Sequence, residues 1–319
     1  MILHYITRLE RCDVLMAIKI KRATTKKHSI YAVFDEWIDN CEERGLRAES
    51  ITTYRDKGME FLEYTGDVYV EDLTQEYVED FSYYLKNKFN FNAASTNTFY
   101  RVVNVFLKFV NERYNVNKFH INYLKEEKHI KQIYTDEDIK RLTKQPDINT
   151  TCYSELRTWL AVIIALNTGA RAGSVCGLRK DDIDLKNRTI LFRHAKNHKQ
   201  FIMPVPRHVI EAVRFYLDAV DIEDYMFLTS DGKQLNSKQL GSSFRKYCKN
   251  RNVKTSSSFH VLRNWYASKL LLSTKNAHLV SKALGHAHMQ TTEKYISSLG
   301  LDAYSDTLRD VDLLKGLKG

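Results

Sequence analysis

ELRTWLAVIIALNTGAR, residues 155–171, is apolar on nearly every side after Trp159 and stops at a glycine, Gly169, that is followed almost at once by an arginine. An amphipathic surface helix shows one apolar stripe, whereas a helix that is hydrophobic all round is a buried one. The stretch therefore predicts a central helix with the rest of a domain packed around it. It also predicts that Arg171 stands where the chain has just left that core. An arginine after a helix ordinarily meets solvent or a helix-terminal carbonyl, so Arg171 acquires meaning only from its neighbours.

Downstream of this helix, TILFRHA and QFIMPVP are two short β-rich runs joined by the polar KNHK, which reads as a hairpin. Helices are predicted over 207–219, 237–250, 259–272 and 276–284. Upstream, T-D-E-D at 135–138 sets a capping threonine three residues before a carboxylate and opens this second domain. Residues 118–132, KFHINYLKEEKHIKQ, are charged without a clean helical face and read as an interdomain linker.

The first domain spans 28–117 and is all helical by its periodicity. Ile30, Val33, Phe34, Trp37, Ile38 and Cys41 recur at spacings of three and four, with Gly45 as the stop. A second helix runs from Ser50 to about Tyr64, with Ile51, Tyr54, Phe61 and Leu62 inward and Gly66 as its end. A third follows a Thr74 cap through Val78, Phe81 and Leu85. A fourth starts at a Ser95 cap and repeats Phe99, Val103, Phe106, Val110 and Tyr114. The fold class is thus mainly α with a small β-sheet, in two domains.

Composition sets the chemistry that such a chain can meet. Its 319 residues, 43% of them apolar, suffice for two packed cores. Lys and Arg number 49 against 39 Asp and Glu, a net charge of +10 that suits a polyanionic partner. The first 27 residues carry seven basic and two acidic side chains, clustered in KIKRATTKK, and are either a DNA-contacting arm or disordered; Met16 is an alternative start. The five cysteines are scattered without a C-x-x-C pair, which argues against a disulfide framework or a zinc site and for a reducing cytoplasm. No apolar run reaches the length of a membrane span, and the first residues lack the order of a signal peptide.

Several polar residues stand in unusual places. His260 and Arg263 lie three apart in HVLRNWYAS and share a helix face. Lys196 stands at the mouth of the hairpin. LGHAHMQTTEKYISS, 284–298, carries His286 and, nine residues on, Tyr295. One chemistry asks for the whole set. A tyrosine hydroxyl can attack a DNA phosphodiester with the 5′ oxygen leaving. Two arginines suit the charge that builds on the phosphate oxygens. A lysine can protonate the leaving oxygen, and two histidines can share proton transfer and phosphate hydrogen bonding.

TGAR, the hairpin lysine, HVLR, LGH and a tyrosine nine beyond that histidine together resemble the tyrosine recombinase, or phage-integrase, family. The resemblance implies a helical SAM-like core-binding domain over 28–117 and the family's catalytic domain over 133–300. It makes Arg171, Lys196, His260, Arg263, His286 and Tyr295 the catalytic set, Tyr295 being the nucleophile, with no cofactor and no metal. KNHKQFIMP places Lys196 where the family's general acid sits, with Lys199 as the alternative. Where the family usually has an acidic residue three beyond its first arginine, this chain has Ser174, which leaves open what supports Arg171.

The implied partners are double-stranded DNA and three further protomers in a tetramer, with accessory DNA-bending proteins as an additional possibility. The tail, 301–319, repeats Leu301, Tyr304, Leu308, Val311 and Leu314 at helical spacing and docks either on a neighbouring protomer or on its own domain. Two other site readings are weaker. DDID, 181–184, supplies carboxylates for a two-metal nuclease but reads as a turn into the hairpin, and Ser257 with His260 lacks the G-x-S-x-G elbow of a hydrolase. The function expected is that of a mobile-element integrase or transposase. The alternatives are a host resolvase of chromosome or plasmid multimers and, from another class, a DNA-binding regulator with a dead site.

Overall fold

The computed structural model describes residues 27–126, 133–193 and 200–285. The expectations that fall on 1–26, Lys196 and Lys199, and 286–319, including His286, Tyr295 and the tail, lie outside the described residues. The chain divides into two compact units at residues 128 and 129.

Among the described residues the first unit has four α-helices, α1 (Ile30–Glu43), α2 (Ala48–Thr65), α3 (Gln75–Phe89) and α4 (Ala93–Tyr114). The six periodic residues of α1 are all buried, with Phe34 and Trp37 packed on Phe106 of α4. Gly58 explains how α2 comes so close. A Cβ there would fall 2.2 Å from the Phe34 ring, a distance no real contact reaches. Thr74 caps α3 by accepting a hydrogen bond from the Tyr77 amide at 3.1 Å. The cap of α4 is not Ser95 but Asn92, whose Oδ1 accepts from the Ser95 amide at 2.9 Å. The two alanines after Asn92 are helix formers, so the helix starts before Ser95 and turns that residue into the donor.

Residues 116–126, the last two of the expected first domain and the beginning of the expected linker at 118–132, run extended along α4. Phe119 and Ile121 point into the first unit's core. Their alternation with exposed His120 follows the two-residue repeat of an extended chain.

The second unit surrounds α6 (Tyr153–Thr168), where every residue from Leu156 to Leu166 is buried. α5 (Asp136–Thr143) begins with a complete capping box, in which the Asp138 amide donates to Thr135 Oγ1 and the Asp138 carboxylate accepts from the Thr135 amide. A short α7 (Ala172–Cys176), absent from the sequence reading, follows Arg171. The sheet has three antiparallel strands, β1 (Ile183–Asp184), β2 (Thr189–Phe192) and β3 (Phe201–Pro204), in the order β1-β2-β3. Phe192 pairs with Phe201 at the end nearest the turn, their rings 5.1 Å apart. Four further helices follow among the described residues: α8 (Arg207–Ala219), α9 (Ser237–Asn250), α10 (His260–Thr274) and α11 (Ala277–Ala283). α8 and α9 have the predicted bounds, and α10 and α11 shift by one or two residues. Mainly helical architecture with one small sheet is therefore the observed class.

Candidate active site

The site starts from a tight turn. Gly169 ends α6 at φ +63°, the left-handed region that glycine enters without strain. A Cβ added there would lie 2.5 Å from the Tyr266 ring and 2.7 Å from a Leu284 methyl group. The backbone that leads to Arg171 is thus pressed between α10 and the turn after α11. Thr168 stiffens the approach: its hydroxyl donates to the Ile164 carbonyl at 2.7 Å and accepts from the Ala170 amide at 3.2 Å.

Arg263 ties this turn to its surroundings. Its side chain is buried, with Nη1 donating to the Gly169 carbonyl at 2.6 Å and Nη2 to the Leu284 carbonyl at 2.8 Å. Two fork-arranged donors can reach two carbonyls from different elements at once, which a point-charge ammonium does poorly. One side chain therefore joins the turn before Arg171 to the turn before His286. Arg171 is half-buried at the N-cap of α7, and no hydrogen bond or ion pair to a described residue engages its side chain. Ser174, in the position where the resemblance leads one to expect an acid, is half-buried on α7. The Arg263 bond to Gly169 helps to fix the backbone beside Arg171, a contact no sequence spacing announces.

His260 opens α10 one turn before Arg263 and is exposed. It edges a groove of about 730 Å³ lined by Lys238, Ser242 and Arg245 of α9 and by Ser256, Ser257 and Ser258. Cations interleaved with small hydroxyls supply both charge and hydrogen-bond donors for phosphate oxygens. Arg245 Nη2 donates to Ser242 Oγ at 3.1 Å, which orients its guanidinium along the helix. Tyr266, beside Arg263, is held by burial above the usual phenol range, although the nearby guanidinium pulls it down. It packs the site, since burial disfavours the phenolate that attack would need.

The acidic run 181–184 serves the hairpin. Buried Asp182 accepts from Arg193 Nε and, at 2.9 Å, from the Arg179 amide. Asp184 accepts from the Lys186 and Asn187 amides. Among the described residues no three His, Cys, Asp or Glu side chains form a metal-binding group. Burial pushes the thiols of Cys176 and Cys248 up to about 12, so neither is a nucleophile at neutral pH. The sequence reading also passed over Arg157, buried in α6, which donates to the Leu228 carbonyl and to Ser154 and Ser243. It anchors α9 to α6 and so sets one wall of the groove. Among the described residues no helix is long and apolar enough to cross a membrane.

A buried arginine that links the T-G-A-R turn to the leucine of L-G-H, inside a helical unit preceded by a second helical unit, fits an integrase-type catalytic domain with a SAM-like partner. The phage integrase family model matches residues 132–300, and the phage integrase SAM-like domain matches 29–133. The chain belongs to the phage integrase family. It is 27% identical over 165 residues to the tyrosine recombinase XerA of Thermococcus kodakarensis, covering 50% of this chain and 56% of that one. It is 25% identical over 287 residues to the tyrosine recombinase XerC of Bacillus pumilus, covering 85% and 92%. It spans about half the length of the curated relatives heading that comparison. In fold it resembles a lambda integrase dimer bound to a COC′ core site, with a TM-score of 0.70 at 15% identity over 86% of this chain and 97% of that one.

Proposed function

We propose that this protein is a site-specific tyrosine recombinase that cleaves and rejoins double-stranded DNA. The Tyr295 hydroxyl attacks the scissile phosphorus, a P–O bond to tyrosine forms, and the P–O5′ bond breaks. The product is a 3′-phosphotyrosyl protein and a strand whose 5′ oxygen takes its proton from Lys196. Arg171 and Arg263 bear the negative charge that develops on the non-bridging oxygens. His260 and His286 share phosphate hydrogen bonding and proton transfer. Attack of a second strand's 5′ hydroxyl reverses the step and passes through a Holliday junction, so bond energy is kept and no cofactor is consumed. Four protomers on two DNA segments, with exchange of the tail between them, complete the assembly in this reading.

The observation that carries it is the Arg263 bridge, which draws three of the five motif segments to one place. Incubation with a nicked suicide substrate tests it. The wild-type chain is expected to remain covalently attached to DNA, and Tyr295→Phe to bind without attaching. An unchanged adduct yield from Tyr295→Phe would remove that residue from the role.

The substrate-level reading is an integrase or transposase of a mobile element. A host resolvase is the second reading, supported by relatives that are named XerA and XerC. Recovery of the covalently trapped DNA and its sequencing separates them: element ends support the first, a single chromosomal locus the second.

A further inference from the structure

Three amide side chains of α4, Asn97, Asn104 and Asn111, recur every seven residues and all face the extended segment 116–126. Asn97 pairs with both backbone groups of Leu124: its Nδ2 donates to the carbonyl at 2.9 Å, and its Oδ1 accepts from the amide at 2.8 Å. Asn104 does the same with Ile121, at 2.9 and 2.8 Å. Asn111 donates to the Val116 carbonyl. Gln75, from the start of α3, repeats the two-bond pairing on His120, at 2.7 and 3.1 Å. Asn97 also reaches Glu126 at 2.8 Å.

The spacings agree. Seven helical residues rise about 10.5 Å, and the three steps from Ile121 to Leu124 cover about 10 Å of extended chain. The segment is held as a strand would be, but side-chain amides take the place of a neighbouring strand. Phe119 and Ile121 are buried in the first unit's core and Val116 packs against it, while Tyr123 and Leu124 are exposed. Each of these hydrogen bonds is exchanged for bonds to water on release, so its net contribution is modest, while its geometry fixes where the segment lies. Residues 116–126 form no helix or strand of their own, so their attachment rests on these side-chain bonds and on the packing of Val116, Phe119 and Ile121.

We infer that this amide ladder is a releasable clasp on the tether between the two units. Docked, it withholds eleven residues from the connection. Undocked, it adds about 37 Å of chain to the connection at roughly 3.4 Å per residue, which gives each unit more reach toward a duplex that the other has already bound. The loading role rests on the proposed action on DNA, whereas the clasp itself can be tested without DNA.

In the full-length chain, Asn97→Ala combined with Asn104→Ala is expected to speed amide exchange and protease cleavage within 116–126 by about tenfold or more, since each pairing lost is of that order. Protection in α1 to α3 should persist. Unchanged exchange in 116–126 overturns the proposal. Should that variant unfold, Asn97→Cys with Leu124→Cys decides instead. The oxidised, clasped protein is expected to associate with a linear plasmid-derived duplex several times more slowly than the same protein after reduction. Equal association rates overturn the loading role. A wild-type chain that binds no duplex at all would defeat the proposed function, and the exchange measurement would still judge the clasp.

Discussion

Arg263 shows how a single side chain can organise a site before any substrate arrives. Its bonds to Gly169 and Leu284 spend two guanidinium donors on backbone that must stay in register with Arg171 and His286. Arg263→Lys keeps the charge but leaves one carbonyl without its partner, at a cost of about 1–3 kcal/mol for a buried unsatisfied group. The expectation is a lower melting temperature together with DNA cleavage reduced by more than the stability loss explains, measured by thermal unfolding and suicide-substrate kinetics. Gly169→Ala acts from the other side of the same bond. It places a methyl group against Tyr266 and Leu284 in a left-handed conformation, a strain of about 1–3 kcal/mol. Thermal unfolding should register the loss even without DNA; an unchanged midpoint would mean that the turn relaxes freely. For the proposed general acid, Lys196→Ala should be rescued by a substrate with sulfur at the leaving position, which departs without a proton. Rescue of Lys199→Ala in its place would reassign the role.

Elements were legible in the sequence wherever an apolar period or a cap chemistry dictated them. The six inward residues of α1 and the Thr135 and Thr74 caps belong to this class, because hydropathy and hydroxyl acceptors are properties of single residues. The start of α4 was misread because Ser95 and Asn92 are both good caps, and two intervening alanines decided between them. The clasp on 116–126 escaped for a different reason: asparagines that pair with a backbone leave no hydropathy signal. HVLR and TGAR mark stretches that the structure brings together, but the packing of Gly169 on Tyr266 and the tie through Arg263 join residues roughly 100 positions apart. The capping box of α5 carries a pH prediction. Burial raises the Asp138 carboxyl, but hydrogen bonds from Thr255 and Thr135 outweigh it and hold the group below the usual range. A depressed folded value stabilises above the unfolded value of about 3.9 and is lost as pH falls through the folded one. Thr255→Val should therefore lower stability near neutrality and weaken its decline on acidification, read from unfolding midpoints between about pH 6 and 3.

At the scale of the whole molecule, a net charge of +10 gives attraction to DNA but says nothing of where the duplex lies. The groove bounded by α9 and Ser256–Ser258 is the place we propose for that attraction, because Lys238 and Arg245 line it and His260 stands at its edge. Each phosphate neutralised releases counterions, so the logarithm of the binding constant falls against that of salt with a slope near −0.9 per contact. Lys238→Gln with Arg245→Gln should flatten the slope by about 1.8 and weaken binding to all sequences alike. Arg171→Gln should instead change the slope by at most one contact while it abolishes the covalent adduct, since its proposed task falls in the transition state. Salt titrations of the three proteins on one duplex separate the two behaviours. If the double variant kept the wild-type slope, the duplex backbone would have to follow another face of this unit, and His260 would lose its place beside the scissile phosphate.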